Sequence, residues 1–115
     1  MSEIVIKKIK FKKNINSYHI VFFDADNNEF ICERFIRKKE DENLSDNFIM
    51  LRAVNIAIGL KDDIKKIYIN NTVVVSWVKG NISEKVAKKY LYRDNRFFEY
   101  IRDIQKSGIK VEYWK

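Results

Sequence analysis

The order in which apolar residues switch between a two-residue and a 3.6-residue period restricts this chain more than any single residue does. Ile4 and Ile6 alternate with polar residues, and the alternation resumes out of phase at Ile9 and Phe11. Residues 3–13 therefore predict a strand with a bulge near Lys7 and Lys8. Asn14-Ile15-Asn16-Ser17 is a turn, and Tyr18–Phe23 is apolar on both sides, as a central strand covered by helices should be. Asp24-Ala25-Asp26-Asn27-Asn28 suits a hairpin, because Asp and Asn tolerate left-handed backbone and bond their own main chain. Glu29–Arg37 then supplies a third antiparallel strand.

Residues 38–43 read as a charged loop, after which Ser45 or Asp46 can cap a helix. In that helix Met50, Leu51, Val54, Ala57 and Ile58 form one apolar stripe, and Gly59 marks the exit. Ile64–Ile69 follows the helix and is expected to pair in parallel with the first strand through a right-handed crossover. Thr72–Val78 is rich in β-branched residues and reads as strand on propensity alone. Phe97, Ile101 and Ile104 share one side of a further helix that Lys106-Ser107-Gly108 terminates. Ile109, Val111 and Tyr113 alternate in a last strand.

With 115 residues, 46% of them hydrophobic, residues 1–115 are expected to form one domain with a two-layer core. Apolar runs fall short of the roughly 18 residues of a membrane span, and the N-terminus lacks the pattern of a secretory leader. A soluble, cytoplasmic protein with no membrane association is the expectation. Cys32 has no second cysteine to pair with and lies in an apolar strand, which suits a buried structural thiol. A net charge of +7 and a pI near 9.5 fit a polyanionic partner, since Lys and Arg that neutralise phosphates release condensed counterions. An AT-rich genome would equally enrich Lys, Ile and Asn, and the charge would then carry no functional content. The most basic segment holds Lys85, Lys88, Lys89, Arg93 and Arg96 against Glu84 and Asp94.

The element order, together with Ile67-Tyr68-Ile69-Asn70-Asn71-Thr72-Val73-Val74-Val75-Ser76-Trp77-Val78-Lys79, resembles bacterial type 1 ribonuclease H. There the fourth strand and the next helix run hydrophobic, aromatic, small, Asp, Ser and later Trp-Val-Lys. The resemblance extends to Phe23-Asp24-Ala25-Asp26, Ile31-Cys32-Glu33-Arg34, Met50-Leu51-Arg52-Ala53 and Ile109–Trp114, and so covers most of the chain. It implies an α/β fold of ribonuclease H-like type, a five-stranded mixed sheet of three antiparallel strands followed by parallel ones, with packed helices. It also makes Thr72–Val78 a helix, against propensity.

In that family, clustered carboxylates hold two Mg²⁺ about 4 Å apart and hydrolyse a phosphodiester, chemistry that needs hard anionic oxygens. The matching positions here are Lys8, Met50 and Asn70, and the fourth, on a helix after the last strand, has no counterpart before Lys115. The family's Gly-rich loop is replaced by the Asn14–Ser17 turn. The resemblance, with these departures, implies a fold kept without the chemistry: not an enzyme, with no metal or other cofactor. The expected work is binding of nucleic acid, whether RNA, DNA or hybrid, through Lys79, Lys85, Lys88, Lys89, Arg93 and Arg96. Asn70 and Asn71 would add contacts to phosphate or a 2′-hydroxyl.

Rival readings stand beside this one. For Asn70 and Asn71 the favoured reading is structural, the end of a strand and the cap of the next helix, since Asn ranks among the best caps. A protein partner could use the same basic surface. A subunit of a larger complex or a homodimer built through the outer helix or edge strand leaves that surface unexplained, and an inhibitor from a phage or mobile element rests on composition alone. Asp24, Asp26 and Glu33 could converge as ligands in a divergent metal-dependent nuclease, although a hairpin explains the first two. His19 is expected in the core or on a sheet face and Trp77 in the core, while Tyr113 and Trp114 either stack on a ligand or cap a sheet edge.

Overall fold

The alternating runs pair into a five-stranded sheet in a computed structural model that describes residues 2–38, 45–91 and 96–114, with Lys8 described in its backbone alone. In chain order the elements are β1 (Ser2–Lys12), β2 (Ser17–Asp24), β3 (Phe30–Arg37), α1 (Asp46–Ala57), β4 (Ile64–Ile69), α2 (Thr72–Val78), α3 (Glu84–Leu91), α4 (Phe97–Ser107) and β5 (Lys110–Tyr113). Of the loop expected at 38–43, only Lys38 is among the described residues. The strand order is β3-β2-β1-β4-β5. β1, β2 and β3 form an antiparallel meander, while β4 runs parallel to β1 and β5 parallel to β4. An α/β fold with a mixed sheet is thus observed.

Local chemistry accounts for the connections. The phase slip in β1 is a register shift against β2 between Lys7 and Lys10. In the β2–β3 hairpin the Asp24 carboxylate accepts the backbone N–H groups of Asp26 (2.9 Å) and Asn27 (3.4 Å), and Asn28 takes φ 57°. Ser45 caps α1 by accepting the Phe48 N–H at 3.2 Å. Gly108 ends α4 at φ 74°, where a side chain would be strained. Among the described residues no helix is long and apolar enough to cross a membrane.

The helices gather on one face of the sheet. Ile4, Ile6, Ile20, Phe22, Ile67, Ile69 and Val111 meet α1 residues such as Ile49, Leu51 and Val54 in one core. The expectation that helices cover both faces of β2 is corrected: Tyr18, Ile20 and Phe22 enter that core, whereas His19, Val21 and Phe23 point to a face that no described helix covers. Val5 and Val21 are nevertheless buried there, because the pairs Val5–Phe23 and Lys7–Val21 place long side chains beside them.

An aromatic cluster joins the helices to one another. Trp77 in α2 is 5% exposed and meets Phe97 of α4 edge-on, with ring centroids 5.0 Å apart. Tyr90 of α3 stacks on Phe97 at 4.2 Å and lies 5.7 Å from Phe48 of α1. Burial of Val74, Val75 and Trp77 explains why the β-branched run 73–75 is helical: tertiary packing outweighs a propensity difference of well under 1 kcal/mol per residue. Trp77→Ala is expected to cost about 3–5 kcal/mol in a denaturant melt. A loss below about 1 kcal/mol, within the scatter of surface substitutions, would place Trp77 outside the core.

Candidate nucleic-acid interface

Parallel pairing sets Ile4 beside Ile67 and Val5 beside Tyr68, so β1 and β4 run toward the same end of the sheet. The first turn of α1 meets the exit of β4 there. Asn71 makes the junction: its side-chain oxygen accepts the Val74 N–H at 2.9 Å and caps α2, and its amide nitrogen donates to Asn47 of α1 at 2.8 Å. Asn70 beside it is exposed. Met50, one turn beyond Asn47, is 6% exposed and belongs to the core.

A core thioether and an exposed amide supply no hard anionic oxygen, so Met50 and Asn70 do not fit a magnesium site. The Lys8 side chain lies outside the described residues. Among those described, no three His, Cys, Asp or Glu gather closely enough to hold a metal ion. Asp24, Asp26 and Glu33 do not converge. Asp24 is engaged in its turn with Lys61 3.8 Å away, Asp26 is exposed, and Glu33 lies 2.6 Å from His19. His19 stands on the helix-free face, stacked on Phe35 at 4.6 Å.

The basic residues separate into free and engaged groups. Lys79 follows α2, and Lys85, Lys88 and Lys89 lie exposed on α3, whose inward side is Val86 and buried Tyr90. Lys88 sits 3.1 Å from Glu84. Arg96 clasps Glu99 through two bonds of 3.0 Å, which raises the pKa of the guanidinium and lowers that of the carboxyl. Arg93 lies outside the described residues. Lys79, Lys85 and Lys89 have no acidic partner among the described residues; the Lys89 ammonium lies 5.3 Å from the Tyr90 ring centroid.

A second group gathers around Trp114, whose partners Lys7, Phe23 and Tyr68 the sequence reading did not bring together. The Lys7 ammonium lies 4.6 Å from the Trp114 ring centroid and 5.3 Å from that of Phe23, and donates to Asn28 at 2.9 Å. The Tyr68 hydroxyl donates to Glu3 at 3.1 Å, and burial, then that carboxylate, raises the phenol pKa. The alternation of Glu3, Val5 and Lys7 carried the signal, since residues two apart on a strand share a face.

No family model matches the chain, and no curated protein matches it. Solved structures do, and two of them are informative. The N-terminal ribonuclease H domain of a Mycobacterium tuberculosis protein, fused to maltose-binding protein, matches over 98% of this chain and 87% of that one, with TM-score 0.57 and 12% identity. Ribonuclease H1 from the halophilic archaeon Halobacterium salinarum matches over 98% and 83%, with TM-score 0.59 and 10% identity. The fold is ribonuclease H-like. That finding corrects the expectation that the chain is not an enzyme, because both solved structures are of ribonuclease H proteins, whereas the case for inactivity rests on sequence departures: Lys8, Met50 and Asn70, the absent fourth position and the replaced Gly-rich loop.

The two asparagines are separable by experiment. Asn71→Ala removes a helix cap and orphans Asn47, and is expected to cost about 1–2 kcal/mol. Asn70→Ala should stay within about 0.5 kcal/mol, as exposed positions do. Chemical-denaturation midpoints of the two variants check this, and equal losses would contradict the assignment of Asn71 as the junction residue.

Proposed function

We propose that this ribonuclease H-like chain engages nucleic acid along the outer surface of α2 and α3. Lys79, Lys85 and Lys89 make the central phosphate contacts, and Lys88 and Arg96 extend the same surface. The observation that carries this reading is the set of three exposed lysines without an acidic partner among the described residues. The fold supports the class of partner, since the solved structures that share it are ribonucleases H, and makes an RNA–DNA hybrid the first ligand to test. The net charge of +7 agrees with it.

Ammonium groups on long stems meet phosphates as point charges and read no sequence, so the surface positions a duplex by its backbone. Asn70, exposed at the exit of β4, is free to add a hydrogen bond to sugar or phosphate. Asn71 has both ends of its amide engaged and contributes by holding the α1–β4 junction instead.

Affinity for a hybrid duplex should fall steeply with salt, with a log–log slope of about 0.9 per phosphate neutralised. The triple substitution Lys79→Ala, Lys85→Ala and Lys89→Ala should reduce that slope by about 2–3. Lys88→Ala, which removes a charge paired with Glu84, should reduce it less. Anisotropy titrations in EDTA separate binding from any cleavage, and circular dichroism verifies that each variant is folded. Equal slopes for wild type and triple variant would transfer the basic surface to a protein partner.

A further inference from the structure

The face of the sheet opposite the helices carries a row of aromatic rings. Phe30 of β3 pairs with Phe23 of β2, Phe23 with Val5 of β1, and Val5 with Tyr68 of β4. Paired residues share a face, so these side chains form one line across four strands. Strands lie about 4.8 Å apart, which makes the line from Phe30 to Tyr68 about 14 Å long. Trp114 continues it beyond β5, its ring 6.3 Å from Tyr68 and its backbone N–H held by the Ile69 carbonyl at 2.8 Å.

Several of these rings are open to solvent although their neighbours are packed. Phe30 is 59% exposed and Trp114 37%, while Phe35, stacked on His19, is 48% exposed. A cavity of about 250 Å³ opens among Glu3, Val5, Ala25, Tyr68 and Trp114. It is large enough for one planar heterocycle, and the Glu3–Tyr68 pair provides an acceptor and a hydroxyl within it.

The charges of this face complete the pattern. Three of its acids are engaged, Glu3 by Tyr68, Glu33 by His19 and Glu112 by Lys66 at 3.7 Å, while exposed Asp26 adds a negative charge near Tyr68. Lys10, Lys12 and Lys110 are exposed and have no acidic partner among the described residues. Lys10 pairs with His19 in the sheet, and the Lys12 ammonium lies 5.9 Å from the Phe35 ring centroid. Two copies meeting through this face would bury Lys10, Lys12 and Lys110, none of which has an acidic partner among the described residues, in one self-complementary contact. A ligand with flat rings and a negative backbone matches it instead.

We propose that this helix-free face binds single-stranded nucleic acid, with bases stacked on Phe30, Phe35 and Trp114 and phosphates met by Lys10, Lys12 and Lys110. The site is distinct from the α2–α3 surface and does not rest on it: there the ligand is a duplex held by its backbone, here a strand whose unpaired bases have free faces.

The probes are twelve-residue oligodeoxythymidylate and oligouridylate, titrated in EDTA at low salt while tryptophan emission and probe anisotropy are followed. Trp77 is buried and Trp114 is partly exposed, so quenching reports on Trp114. Binding with quenching is expected. Trp114→Leu should abolish the quenching, and Trp114→Leu and Phe30→Ala should each weaken binding by about fivefold to a hundredfold, the range for losing one stacked base. Lys85→Ala with Lys89→Ala, on the other surface, should leave the Trp114 quenching in place. Absence of wild-type binding to both oligonucleotides overturns the proposal without recourse to any variant. It is equally overturned if the Lys85/Lys89 variant alone loses binding, or if sedimentation shows a dimer that Phe30→Ala disperses.

Discussion

The position of the basic helix depends on one ring. Tyr90 is the single buried residue of α3, and its stack on Phe97, with Phe48 also stacked and Trp77 edge-on, is what fixes that helix to the rest of the fold. An eight-residue helix does not persist in water by itself, because nucleation costs more than so few hydrogen bonds return. The lysines of α3 therefore hold a defined arrangement only while the aromatic cluster is intact. The surface electrostatics of this protein are in that sense a property of its core.

One-sided layering is the second organising fact. Because α1 to α4 share one face, the other keeps the strands' outward residues in contact with solvent. Such a face must reconcile water with the apolar residues that strands prefer. Here Val5 and Val21 are sunk beneath Lys7 and Phe23, with the lysine stem lying over apolar surface and its ammonium against two rings. A helical layer with a basic rim and a sheet layer with rings and lysines present two chemically different surfaces on one fold.

Much of this was legible in the residues. The slip from Ile6 to Ile9 became the β1 irregularity, the Asp24–Asn28 cluster became the hairpin, and Gly108 became the left-handed cap of α4. Local patterns of this kind depend on neighbours in sequence and are readable there. The one-sided cover of β2 was not, because whether an apolar side chain meets a helix or another strand's side chain is decided by partners far away in the chain. The Asn47–Asn71 bond joins residues 24 positions apart and leaves no local trace. The Glu84–Lys88 and Arg96–Glu99 pairs were within reach, since spacings of four and three along a helix bring such charges together. The expectation of inactivity is corrected for a different reason: it was drawn from local departures from a family pattern, and the likeness of fold to ribonuclease H proteins lies in the assembled backbone.

The unequal reach of the strand pairings has a consequence for the birth of the protein. β1, β2 and β3 are joined by short connections, whereas Ile4 waits for Ile67 before the second edge of β1 is paired. A chain leaving the ribosome N-terminus first can close the meander early, with the β1 edge bare until β4 and the helices have been made. Unpaired edges recruit other strands, and lysines are the common deterrent. Lys7, Lys8, Lys10 and Lys12 crowd into β1. The residues that make the finished sheet attractive to a polyanion thus double as the guard of the nascent chain against its own copies.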